Sequence, residues 1–171
     1  MDIIDKHARR YFMQYMKQCF IAIAVVVAIL FFLDIARYTV IVASLGATTF
    51  VVFAIPHSYS ATARRISGGY LVGVVVGISL YYTDTYLASL AFIDAEILNI
   101  IIGGTAVGAS IFIMAITNTE HPPAAGLSMG LIFNPWSVEA MIIIFMAVFI
   151  LCLFKQFLGK WLINMHGITG T

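Results

Sequence analysis

The chain has 171 residues, 62% hydrophobic and 10% charged, with a net charge of +1 and a mean hydropathy of +1.02. Soluble domains hold roughly 45–50% apolar and about 25% charged residues, so this composition excludes a water-facing globule; the chain is an integral membrane protein whose first partner is the lipid bilayer. No basic stretch is long enough to track a phosphate backbone, which excludes nucleic acid as a partner.

Residues 1–18 (MDIIDKHARRYFMQYMKQ) read as an amphipathic, positive segment: Ile3, Ile4, Ala8, Tyr11, Phe12 and Tyr15 share an apolar side, while Lys6, Arg9, Arg10 and Lys17 face headgroups. With so charged a lead and no A-x-A-like site after it, the first apolar run is not a removable signal. Seven apolar segments follow in order: 19–33, 39–56, 66–82, a weak 86–93, 97–117, a short 124–133 and 140–154. A spanning helix needs about 20 apolar residues, so 86–93 and 124–133 are expected to be half-helices or re-entrant pieces. Cys19 and Cys152, at opposite ends of the chain, are expected to pack as small apolar side chains.

These segments predict an all-α fold, a polytopic transmembrane helical bundle with about 5–6 membrane segments, some short or broken. Residues 19–158 form the single membrane domain and 159–171 a short C-terminal tail. By the positive-inside rule the N-terminus is cytoplasmic. Arg64 and Arg65 then fall inside, and Arg37 falls outside near Asp34. Asp84, Asp94 and Glu96 also lie outside, as solvated caps. Lys155 and Lys160 end inside if 124–133 crosses. Six spans with both termini inside balance best; five remain an alternative. The charge pattern fits a bacterial inner (plasma) membrane.

The sequence also repeats itself. FLDIARYTVIVASLGATTF (32–50) echoes FIDAEILNIIIGGTAVGASIF (92–112), with Gly–Ala–hydroxyl–x–Phe at Gly46–Phe50 and again at Gly108–Phe112. Two repeats, about 19–82 and 83–155, each run into a polar break: HSYSATARR (57–65) and NTEHPP (118–123). Paired breaks at corresponding positions point to a transport site. Small residues recur at fourth positions (Gly69, Gly73 and Gly77; Gly104 and Gly108; Gly126 and Gly130) and, with Gly46, predict close helix packing, and a homo-oligomer is expected.

The breaks suggest anion chemistry. Pro122 and Pro123 suit a first helical turn, after which Ala124, Ala125, Gly126 and Leu127 would offer backbone N–H groups at a positive helix end. Thr119 is placed to cap, and His121 to donate a hydrogen bond or a proton. In the first break Ser58, Ser60 and Thr62 precede Arg64 and Arg65, and the helix is expected to restart at Ile66–Gly68, so that amides near Ser67 and Gly68 also face the anion. Arginine offers a fork of donors suited to small oxyanions. His57 and His121 would converge, and one or the other would couple a proton. Solvated anchors, simple loop histidines and packing glycines are the plainer readings of the same residues. No metal or cofactor is expected: Glu120, His121 and His57 lack metal-ligand spacing. No enzyme is expected either, since no G-x-S-x-G elbow is present and Ser44, Ser79 and Ser110 have no base.

ASLGATTFVVFAIPHSYSATARRISGGYLVG (43–73) and GASIFIMAITNTEHPPAAG (108–126) together resemble the HPP family of small integral membrane proteins, named for the tripeptide at His121-Pro122-Pro123. The resemblance spans most of residues 20–155. It implies a compact bundle of four spans plus shorter hydrophobic pieces, and for some members nitrite transport. Many bacterial members carry appended CBS domains; this chain, ending soon after its last segment, is expected to lack one. It departs from the family where Thr62-Ala63-Arg64-Arg65 stands for an expected Gln-Pro-Arg-Asn. The expected function is a transporter or channel for a small monovalent oxyanion, nitrite first. The alternative is a non-transporting membrane assembly protein, and a channel for a neutral solute is a third reading.

Overall fold

A computed structural model of the chain describes residues 10–32, 39–90, 94–134 and 136–165. The described residues form six α-helices: α1 (Phe12–Phe32), α2 (Thr39–Ala54), α3 (Ala63–Ser89), α4 (Ala95–Thr117), α5 (Pro122–Phe133) and α6 (Val138–Leu158), with a 3-10 turn at Tyr59–Ala61. α1, α3, α4 and α6 are long and apolar enough to cross a membrane; α2 and α5 are shorter, at 16 and 12 residues. At 1.5 Å per residue α5 spans about 18 Å, short of a hydrocarbon core of about 30 Å. It is accordingly sheltered by protein, packed against α3, α4 and α2.

Several boundaries differ from the hydropathy segments. The weak piece 86–93 is no separate segment: residues 86–89 are the last turn of α3, which runs unbroken for 27 residues. The reason is that Thr83, Asp84 and Thr85 lower the local hydropathy without breaking the helix, the two threonine hydroxyls bonding back to Ser79 O and Tyr81 O. α1 begins at Phe12, so the end of the amphipathic segment and the first span are one helix. Ile3, Ile4, Ala8, Lys6, Arg9, Asp34 and Arg37 lie outside the described residues, as do Phe92 and Ile93 of the second echo.

Every helix alternates in direction, so one end of the bundle collects the start of α1, the ends of α2, α4 and α6, and the starts of α3 and α5. The C-terminal residues 161–165 close that end. Met165 N donates to Ala54 O at 2.7 Å, and the buried Gln18 of α1 donates to Phe53 O (2.8 Å) and Ile163 O (3.0 Å) while accepting from Ile163 N. All described lysines and arginines (Arg10, Lys17, Arg64, Arg65, Lys155 and Lys160) belong to this end. Asp84, Asp94, Glu96 and Glu139 sit at the other. Asp94 caps α4 as expected, accepting from Glu96 N and Ile97 N. Asp84 does not behave as a solvated cap: it is buried on α3, where the Asn99 amide of α4, oriented nitrogen-first, donates to both its oxygens at 2.7 and 3.0 Å.

In lipid, apolar burial drives little, so helix contact is earned by close approach of small residues. Gly69, Gly73 and Gly77 of α3 do this. A Cβ at Gly69 would sit 2.6 Å from His121 Cβ, one at Gly73 would strike the Ala124 carbonyl, and one at Gly77 would meet Ser128 O at 3.0 Å. Gly130 likewise receives Val40 of α2. Gly46, Gly104, Gly108 and Gly126 behave differently: a Cβ there meets nothing within 4 Å, because they lie on open faces and not in the bundle's own contacts.

Candidate functional site

The two breaks meet at the basic end of the bundle. α4 ends on Asn118, whose left-handed backbone (φ 56°, ψ 48°) is the one positive φ among the described non-glycine residues. Thr119 N closes the last turn on Met114 O at 2.9 Å. That turn aims the Asn118 side chain at the first break, where its Oδ1 accepts from Arg65 Nη2 (2.6 Å) and Tyr59 OH (2.5 Å).

Arg65 is thereby committed to holding the breaks together. Its guanidinium also lies 3.2 Å over the Tyr59 ring centroid, donates to Thr62 Oγ1 at 3.2 Å and pairs with Glu120 at 3.6 Å. Arg64, one residue earlier, is exposed and among the described residues reaches only Thr117 O, at 3.5 Å. Of the two arginines, Arg64 is the one with donors to spare.

The helix ends differ from the sequence expectation. α3 starts at Ala63, not at Ile66–Gly68, because Thr62 takes the N-cap position and its carbonyl accepts from Arg65 N and Ile66 N. Thr62 makes no side-chain cap, and among the described residues the amides of Ala63 and Arg64 meet no acceptor. Ser67 and Gly68 lie in the second turn: Ser67 Oγ bonds back to Ala63 O, and Gly68 packs on Thr119. At α5 the prolines that start the helix also empty it of donors. Pro122 and Pro123 have no N–H, and Ala124 N is taken by His121 O at 3.0 Å. Gly126 is exposed on the far face. The first three residues of α5 bring a dipole and no free amide.

His121 is fully buried at the N-cap of α5 and heads a chain of hydrogen bonds into the bundle. Its Nδ1 faces Ser60 O at 3.1 Å and its Nε2 faces Thr48 Oγ1 at 2.9 Å. Thr48 Oγ1 is 2.8 Å from Tyr70 OH, which is 2.9 Å from Ser44 Oγ, and Ser44 donates to Pro123 O at 2.9 Å. One carbonyl of the first break and one of α5 therefore bracket groups from α2, α3 and the second break. Burial pushes the His121 imidazole down to about 4, against a smaller lift from the Ser60 carbonyl. The histidine lies in the connection between α4 and α5, outside the helical spans.

His57 does not join it. Its ring reaches Leu162 O at 3.0 Å and its backbone N–H reaches Asn164 Oδ1 at 3.1 Å, so it serves the C-terminal segment. Ser58 turns its hydroxyl inward without a partner among the described residues. Lys155 of α6 donates to Ala61 O, tying α6 to the 3-10 turn. No group of three or more metal-ligating side chains occurs among the described residues.

Thr48 and Tyr70 are not among the candidates the sequence marks, and Ser44 stands there only as a serine without a base. Ser44 and Thr48 are four residues apart on an otherwise apolar helix, hence on one face, and that spacing was the available signal. Tyr70, after Gly68-Gly69, carried none.

The family model described as HPP, transmembrane region, matches residues 5–166, and the chain belongs to that family. No curated protein and no solved structure matches it.

Proposed function

From that membership we propose that the protein carries a small monovalent oxyanion, nitrite first, across the membrane, entering at the end where the breaks meet. The observation that carries this is the first turn of α3: the uncapped Ala63 and Arg64 amides at a positive helix end, with the uncommitted Arg64 guanidinium beside them. An anion in lipid needs such compensation. Basic residues at one end and four of the five described acids at the other support a cytoplasmic N-terminus by the positive-inside rule, as in a bacterial inner membrane.

An internal duplication underlies the pairing of breaks in this reading. Its support is the match of environments at echoed positions: Thr48 and Ser110 are both 0% exposed, and Phe50 and Phe112 are 63% and 66% exposed.

The test is uptake of nitrite, nitrate, formate and chloride into liposomes holding the purified protein. Saturable, protein-dependent nitrite uptake is expected, and Arg64→Gln should lower it about tenfold at low salt while the protein stays folded. Unchanged uptake in that variant removes Arg64 from the pathway; no uptake of any anion removes the transport reading.

The rival reading, an assembly protein that transports nothing, has its own observation in the open glycines Gly46, Gly104, Gly108 and Gly126. It predicts that Gly104→Leu and Gly108→Leu shift the oligomeric state by light scattering and leave the fold intact. Gly73→Leu does not test it, since that change breaks the bundle itself.

A further inference from the structure

We propose that the chain Ser44–Tyr70–Thr48–His121 is a proton-binding site that takes up one proton with the anion, making the protein a proton–anion symporter; this rests on the anion reading above. Five contacts of 2.8 to 3.1 Å run in line from Ser60 O through His121, Thr48, Tyr70 and Ser44 to Pro123 O. Both ends are carbonyls, which only accept. A neutral imidazole and three hydroxyls supply four protons, so with His121 neutral one contact sets lone pair against lone pair. Bulk water does not reach it, because His121, Thr48 and Tyr70 are 0% exposed and Ser44 is 7% exposed. One proton added at Nε2 turns every contact into a hydrogen bond: Nε2–H to Thr48, Thr48 to Tyr70, Tyr70 to Ser44, Ser44 to Pro123 O. No covalent bond in the protein breaks; the hydroxyl hydrogens only rotate.

Among the described residues no unpaired negative charge stands near the imidazole to balance it. α2 contributes Ser44 and Thr48. From α3 come Tyr70 and Arg65, the latter paired with Glu120; beside Ser60 stands Tyr59, bonded to Asn118. α6 contributes Lys155, on Ala61 O, and Cys152; α4 faces the connection with the apolar Val107, Ile111 and Met114. The positive end of α5 also opposes an imidazolium. The missing negative charge therefore arrives as ligand, and the 3-10 turn carrying Ser60 leads directly to the first turn of α3 where Arg64 waits. By linkage an anion there favours the proton, and the proton favours the anion. Both leave together, and no net charge crosses.

The full chain in liposomes with an internal pH dye tests this, with protein-free vesicles subtracted for the passage of nitrous acid itself. Nitrite entry is expected to bring about one proton per anion. Tyr70→Phe is the decisive variant: three contacts then remain for three protons, and no vacancy exists. Its protein-dependent nitrite entry should lose the wild-type dependence on pH, where a purely structural tyrosine would leave that dependence in place. Nitrogen-15 spectra of histidine-labelled protein at pH 6.5, assigned with His121→Asn, should show Nε2 protonated with saturating nitrite and bare without it. Nitrite entry without protons, or wild-type pH dependence in Tyr70→Phe, or an Nε2 that stays bare with nitrite bound, overturns the symport inference and leaves the anion reading standing. No anion entry at all overturns both.

Discussion

In the first break Thr62 leaves its helix uncapped, and two amides and an exposed arginine face outward; in the second, two prolines remove the amides and a histidine turns inward with no exposed surface. Both breaks read alike along the chain: an apolar helix, a few polar residues, a restart on small ones. The difference teaches that a polar interruption in a membrane helix has two physical outlets. It can present its unpaired groups to water and to charge, or it can satisfy them internally, and then it becomes a lock between helices. Here Arg65 joins the two solutions, reaching from the first break to Asn118 and Glu120 of the second.

The largest effect that tests this division comes from forcing the breaks apart. Gly69 backs directly onto His121, so Gly69→Leu should cost more than about 3 kcal/mol and abolish monodisperse protein in detergent. Gly108→Leu, on an open face, should leave the monomer's fold unchanged. A well-folded Gly69→Leu would mean that the contact between the breaks is loose.

Next is pH, which should act on the buried histidine and pass over its partner break. His121 is held down at about 4, against an ordinary 6.5, so the unfolded chain binds the proton first as pH falls. Stability is complete above about 6.5, declines through the window below it and has lost about 3 kcal/mol by about pH 4. Thermal unfolding should show this slope in wild type and lose it in His121→Asn, whereas His57→Asn should keep it. Under the symport proposal saturating nitrite should flatten it, since a nearby negative charge favours the imidazolium. A slope that survives in His121→Asn would assign the titration elsewhere.

Smaller still, Arg65→Gln should lower stability by about 1–2 kcal/mol through loss of a largely shielded clamp, and Arg64→Gln by less than about 0.5 kcal/mol. Equal losses, read as unfolding midpoints, would erase the distinction between the committed and the free arginine. The smallest effect is at the left-handed turn. Asn118→Gly should keep the backbone and lose only the side-chain contacts, while Asn118→Ala should be worse than Asn118→Gly by about 1 kcal/mol.

Sequence alone determined the helical class, the positions of both breaks, the short α5 and the sorting of basic from acidic residues, because lipid punishes unpaired backbone and buried charge wherever they occur. It marked His121, Arg64 and Arg65 as the chemistry, and Gly69, Gly73 and Gly77 as a packing face. Only the tertiary structure decided their partners. Whether His57 meets His121 or the C-terminal segment depends on where residues 161–165 fold back, more than a hundred positions along the chain. Thr62 takes the cap and starts α3 three residues early, a choice that local hydropathy does not encode. Tyr70 finds Thr48 and Ser44 only because glycines bring both α3 (Gly69, Gly73, Gly77) and α2 (through Gly130) close onto α5. A hydrogen bond is a relation between two sites, and a one-dimensional pattern shows the donors and acceptors without showing which of them meet.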